Sequence, residues 1–146
     1  MKKILMLFMA AALAYSCNSV KKANSTAAVN SKTIEKKLQQ TWILEELNGK
    51  NITQKDFQKN TPKIDIKSAT FNGTTGCNAI NGNLFSTGSK EVQFLNLKSE
   101  NKKCSTAKKE EEFVKLLKTT TNYSISNDKL SLSNQFGPTM VFRKGN

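Results

Sequence analysis

The chain has 146 residues, enough for one domain with a real core and too few for two once its N-terminal segments are set aside. Hydrophobic residues make up 37% and charged residues 23%, which fits a soluble globular body and excludes a membrane-embedded bundle or a disordered polyampholyte. There is no histidine, so the commonest proton-transfer group near neutral pH and the commonest transition-metal ligand are both missing.

The formal charge is +12, and it falls to +10 if residues 1–16 are removed, because Lys2 and Lys3 leave with no acid. Such a field favours anionic neighbours such as phospholipid, phosphorylated glycolipid or nucleic acid without selecting among them, and exposed lysines also confer plain solubility. At the N-terminus the pair Lys2-Lys3 precedes an apolar run of 11 residues, Ile4 to Ala14. That is an export signal, short of the roughly 20 residues a permanent bilayer helix needs. Leu13-Ala14-Tyr15-Ser16-Cys17 resembles a lipobox, with Leu13 one place further out than the usual aliphatic residue. On that reading the signal peptide is cut before Cys17, which takes lipid and holds the protein to a membrane. Ala14 and Ser16 also satisfy an ordinary small-x-small cleavage rule. Residues 18–33 are Asn, Ser, Thr, Ala and Lys with two scattered valines, the composition of a flexible spacer, so residues 17–37 are expected to be the lipidated cysteine and its tether. Asn18-Ser19 holds no acidic retention signal, which favours the outer membrane of the cell envelope.

Ile34 to Gln40 reads as a short helical lead-in, and Thr41 to Leu47 as a strand ending at the turn signal Asn48-Gly49. Residues 50–62 form a connection with Ile52 and Phe57 as apolar anchors, and Lys63-Ile64-Asp65-Ile66 opens a second strand that continues loosely to Phe71. Asn72-Gly73 reads as the next turn. Gly76 and Gly82 then punctuate a strand-like stretch, where glycine marks a bulge or a close approach of backbones. Glu91 to Leu97 alternates as a strand with Val92, Phe94 or Leu95, and Leu97 inward. The one strong helix spans about Thr106 to Lys118, its apolar face set by Phe113, Leu116, Leu117 and Thr120. Thr106 suits the N-cap, Glu110 to Glu112 suit the positive end of the helix dipole, and Glu111 with Lys115 makes an i,i+4 pair. Tyr123 to Ser126 and Lys129 to Leu132 flank the hairpin signal Asn127-Asp128, and Pro138 to Arg143 supplies the last strand. Runs of strands with one late helix predict an α+β domain, a curved antiparallel sheet wrapped around one α-helix.

If Cys17 carries lipid, Cys77 and Cys104 remain as an even pair in a compartment that permits a disulfide; the alternative is two free thiols, one buried as a small hydrophobe. No metal site is expected from two lone thiols without histidine.

This order of features resembles the META domain of HslJ-like heat-shock proteins, over about residues 38–143, and the domain is assigned to 38–146. The elements that carry the likeness are Trp42-x-Leu44, Leu47-Asn48-Gly49, Pro62, Gly73-x-x-Gly76-Cys77-Asn78, Asn81-Gly82, Cys104, Glu111-x-Phe113, Tyr123-x-Ile125, Leu130-x-Leu132 and Met140-x-Phe142-Arg143. Gly76-Cys77-Asn78 is the most specific portion. The resemblance implies a compact sheet around one helix, often exported and lipid-anchored, with links to heat stress and antibiotic tolerance. It implies no catalytic residues and no cofactor. Asn78 and Asn81 stand out within the motif, with a structural reading as amides that pin a bulged strand.

No nucleophile with a base is visible, and Gly73-Thr74-Thr75-Gly76 lacks the Lys-Ser/Thr of a phosphate loop. The expected protein is therefore not an enzyme. It is a monomeric, membrane-anchored envelope lipoprotein, stress-related, that binds an envelope protein or anionic component and no nucleic acid. An inhibitor or pilot-like accessory protein engaging one defined partner is the alternative.

Overall fold

The structure, a computed structural model, describes residues 34–57, 60–87 and 90–146; Cys17, the export segment and most of the spacer lie outside the described residues. Strands β1 (Thr41–Leu47), β2 (Lys50–Asn51), β3 (Lys63–Lys67), β4 (Thr70–Thr74), β5 (Ala79–Phe85) and β6 (Gln93–Ser99) precede helix α1 (Ala107–Thr119). Strands β7 (Asn122–Ser126), β8 (Lys129–Asn134) and β9 (Gly137–Lys144) follow it. All pairings are antiparallel in the order β6-β5-β4-β3-β1-β9-β8-β7, with β2 hairpinned onto β1. The fold is the expected α+β one, a curled sheet around a single helix.

Alternation places the core on the concave face. Trp42, Ile64, Ile66, Phe71, Ile80, Phe94, Leu130, Leu132 and Phe142 all point inward and join one cluster with Phe113 and Leu117 of α1. The Phe113 ring meets Phe142 edge-on at 6.3 Å between centroids. The sheet curls far enough for its two outer strands to approach: the segment before β6 bonds the start of β7 through Val92 N–H to Thr121 O (2.9 Å) and Tyr123 N–H to Lys90 O (2.7 Å). Covered edges leave fewer free backbone groups to template aggregation.

Asn48-Gly49 and Asn127-Asp128 make the tight turns expected, with positive φ at all four residues. Elsewhere the structure corrects the reading. The stretch from Lys63 to Phe71 is a hairpin, β3 and β4, turning at Ser68-Ala69 with Ser68 at φ +55°. Asn72-Gly73 therefore lies inside β4, and Gly73 is required by packing: a β-carbon there would sit 2.2 Å from the carbonyl oxygen of Lys63 on the neighbouring strand. Phe94 is inward and Leu95 outward. The lead-in is a series of turns, with Leu38 N–H bonded to Glu35 O and Gln39 N–H to Lys36 O. Ile34 and Leu38 are buried, so the packed body reaches back at least to Ile34 instead of 38. Trp42 holds this segment in place, its indole N–H donating to Leu38 O at 3.0 Å from a fully buried ring.

Gly82 stands opposite a bulge in β6, at the close approach of backbones expected of a strand glycine. Asn81 pairs with Lys98 and Asn83 with Leu95, so Gly82 alone faces both Asn96 and Leu97 of β6. A β-carbon on Gly82 would lie 2.7 Å from Leu95 O and from the Phe71 ring. Gly82→Ala should therefore cost about 1–3 kcal/mol through overpacking, read as a lower denaturant midpoint at unchanged slope. A variant as stable as wild type would show that the bulge relaxes freely.

Candidate functional site

A densely bonded junction joins the β4–β5 loop to the N-terminus of α1. Thr74 ends β4 and its hydroxyl accepts the Gly76 N–H (3.1 Å). Gly76 has φ +113° and lies against Phe57 and the Asn60 carbonyl, so only glycine suits its backbone and its space. Cys77 then reaches Cys104 in a disulfide with Cα atoms 6.5 Å apart and a sequence separation of 27. Asn78, 8% exposed, accepts the Lys102 N–H at its Oδ1 (2.8 Å). The loop thus grips the β6–α1 connection twice, by sulfur and by amide.

A third tie comes from Glu110, which is 3% exposed in the first turns of α1. Its Oε2 accepts the Thr75 hydroxyl, the Asn78 side-chain amide (3.1 Å) and the Asn78 backbone N–H (3.3 Å), while Oε1 accepts the Thr106 hydroxyl (2.8 Å). Burial pushes the pKa of Glu110 up, but the donors from Thr75, Thr106 and Asn78 together outweigh it and hold the carboxyl below the usual glutamate range. The helix N-terminus adds favourable field. A carboxylate whose oxygens already accept four donors has little capacity left to take a substrate proton. Its role here is to clamp. Sγ of Cys77, Sγ of Cys104 and a Glu110 oxygen lie within 4.8 Å of one another. Bridged sulfurs carry no thiolate, so in this state the trio is a covalent staple beside an ionic clamp.

Beside the clamp runs a cleft of about 540 Å³ between α1 and residues 99–102. Ala107, Val114 and the stems of Lys115 and Lys118 form its helical wall, and Glu100 paired with Lys102 (2.6 Å) lies opposite. Beyond Lys118, at the C-terminal end of the same helix, Phe136 at the β8–β9 turn is 87% exposed and shares a depression with Leu95 and Lys118.

Of the motif residues, Gly76, Cys77, Asn78 and Cys104 converge on the clamp; Trp42, Gly73 and Gly82 hold the sheet elsewhere. Asn78 pins its strand as read, whereas Asn81 points outward with no side-chain hydrogen bond among the described residues. Glu110 was not singled out from the sequence, where the acids at 110–112 read as dipole partners. The available signal was spacing: Glu110 stands three before Phe113 and seven before Leu117, on the buried stripe. On the helix surface the ion pair found is Lys109 with Glu112 (3.5 Å), not Glu111 with Lys115.

The META domain family model matches residues 33–146. The chain belongs to the META domain family. No curated protein sequence matches it. Among solved structures, this META domain is similar to a protein from Burkholderia xenovorans determined by NMR, at 17% identity with a TM-score of 0.57, over 74% of this chain and 83% of that one. A second NMR structure shares 20% identity with the same TM-score, over 73% and 89%. A crystal structure of a DUF4847-family protein from Bacteroides vulgatus shares 18% identity at a TM-score of 0.51, over 74% and 93%. These likenesses carry the fold alone.

Glu110→Ala should destabilise the META domain by about 2–4 kcal/mol, since it leaves Thr75 and Asn78 donors buried without an acceptor. Because the folded pKa is lowered, the stabilisation from ionised Glu110 is full above about pH 4.5, the ordinary value, and is lost as pH falls through the folded pKa. Denaturant titrations should therefore show Glu110→Gln less stable than wild type at neutral pH, with a flatter decline into acid. Parallel pH profiles would contradict the clamp.

Proposed function

We propose that this chain is an exported lipoprotein, cut before Cys17 and held by lipid on that residue at the outer membrane, whose META domain binds an anionic envelope component without catalysis. The observation that carries the binding reading is the cleft along α1. It pairs an apolar wall, Ala107 and Val114, with Lys115 and Lys118; of the acids that also line it, Glu110 is saturated by the fold and Glu100 is paired with Lys102, which leaves Glu111 as the exposed carboxylate among these cations. An apolar trough edged by ammonium groups suits an amphiphile with an anionic head. A role during envelope stress follows from the family resemblance. A second reading, an accessory protein that engages one defined partner, draws on Phe136, because so exposed an aromatic ring beside Leu95 is the kind of anchor a protein interface buries.

Two measurements test this. Palmitate labelling with intact mass should show acylation of wild type and none of Cys17→Ser; an unlabelled wild type removes the anchor. Lys115→Glu and Lys118→Glu should each weaken association of lipid-free protein with phosphatidylglycerol-containing vesicles by about fivefold at low salt. Unchanged association would shift the reading to the protein partner.

A further inference from the structure

We infer that the outward face of β4, β5 and β6 is a saccharide-binding site that takes a pyranose chain on a bed of asparagine amides. Asparagine is depleted in strands, where its short amide competes with the backbone ladder. Yet Asn72 in β4, Asn81 and Asn83 in β5 and Asn96 in β6 line one open depression of about 790 Å³. Register sets them side by side: Asn72 is opposite Asn81, and Asn81 is opposite Lys98 on the far side. All four side chains are exposed.

The fold accounts for one of them. Asn96 has φ +51° in the two-against-one bulge, a conformation asparagine tolerates better than most residues. Its amide N–H donates to Asn83 Oδ1 at 3.2 Å, which couples the two amides and leaves the Asn83 side-chain N–H groups and the Asn96 side-chain carbonyl without a hydrogen-bond partner among the described residues. The side chains of Asn72 and Asn81 bond to no described residue. Buried Asn78, three residues before Asn81, shows how this chain uses an amide for structure; Asn81 is not used that way.

A primary amide offers one carbonyl acceptor and two N–H donors in a fixed plane. Vicinal sugar hydroxyls, each donor and acceptor, complement that set. Strands about 4.8 Å apart place successive amides under successive parts of a sugar chain. Phe85 stands on the same face of β5, two residues past Asn83 and 43% exposed, where the C–H face of a pyranose ring can lie on it. A nucleic acid would call for more cations than Lys98 among these amides. The depression shares no lining residue with the α1 cleft, so this inference does not rest on the anionic-ligand reading.

The test is an NMR titration of full-length Cys17→Ser protein with two probes, a hexamer of β-1,4-linked N-acetylglucosamine and a hexamer of glucose. Side-chain amide signals of Asn72, Asn81 and Asn83 should shift at millimolar glycan, and Asn72→Ala and Asn81→Ala should each weaken binding about fivefold. Both residues are exposed, so the variants should keep the wild-type spectrum elsewhere. A response to the acetylated hexamer alone assigns acetamido sugars; a response to both assigns the hydroxyl pattern they share. No shift with either hexamer, shifts confined to another face, or unchanged affinity in the Asn72→Ala/Asn81→Ala double variant would overturn the proposal.

Discussion

A carboxylate taken out of water loses several kcal/mol of solvation unless the protein returns equivalent interactions. Glu110 is buried and makes no ion pair among the described residues, so its charge is satisfied there by Thr75, Asn78 and Thr106 and by the start of α1. That requirement fixes much of the local structure. The β4–β5 loop must bring two side chains and a backbone N–H to one point, which needs the left-handed turn at Gly76. Asn78 serves the acid with its N–H groups and Lys102 with its carbonyl, so the β6–α1 connection is ordered by the same residue. The disulfide closes the same junction covalently. By loop-closure entropy it contributes roughly 3–4 kcal/mol, of the same order as the clamp it flanks.

The sheet is shaped by complementary constraints. Bulges in β1, β6 and the β8–β9 pair break strict alternation where the strands bend, and the inward residues still form one cluster. The β6 bulge opposite Gly82 sets Asn96 at positive φ with its side chain exposed. One departure from a regular strand thus arranges an amide surface on the outer side of the sheet. Closure of the sheet near Val92 and Tyr123 leaves α1 to fill the interior with Phe113 and Leu117.

Much of this was legible in the sequence because period and turn chemistry are local. The alternation of β1, the Asn48-Gly49 and Asn127-Asp128 turns, the terminal hairpin and the 3.6-residue face of α1 follow from neighbouring residues. Asn72-Gly73 misled because a turn dipeptide and a strand glycine pressed against a neighbouring carbonyl look the same until Lys63 is placed across from it. Ser68-Ala69, which does turn, carries no strong turn signature. Glu110 was hidden for a related reason: a buried acid differs from a surface acid only through its partners, and apart from Thr106 those lie 32 and 35 residues away in the chain. Asn78 and Asn81 formed one motif by sequence and separate in space, one inward to the clamp and one outward to solvent.

The family motif residues nearest the clamp are occupied in holding the fold, and the proposed binding surfaces therefore lie beside them, in the α1 cleft that the clamp borders, and away from them, on the amide face. The central claim is that Glu110 and the β4–β5 loop act as one unit, and a double-mutant cycle between Glu110→Ala and Asn78→Ala in denaturant unfolding tests it most directly. The account predicts a coupling energy of about 1–3 kcal/mol. Additive losses, within about 0.5 kcal/mol of the sum, would contradict it.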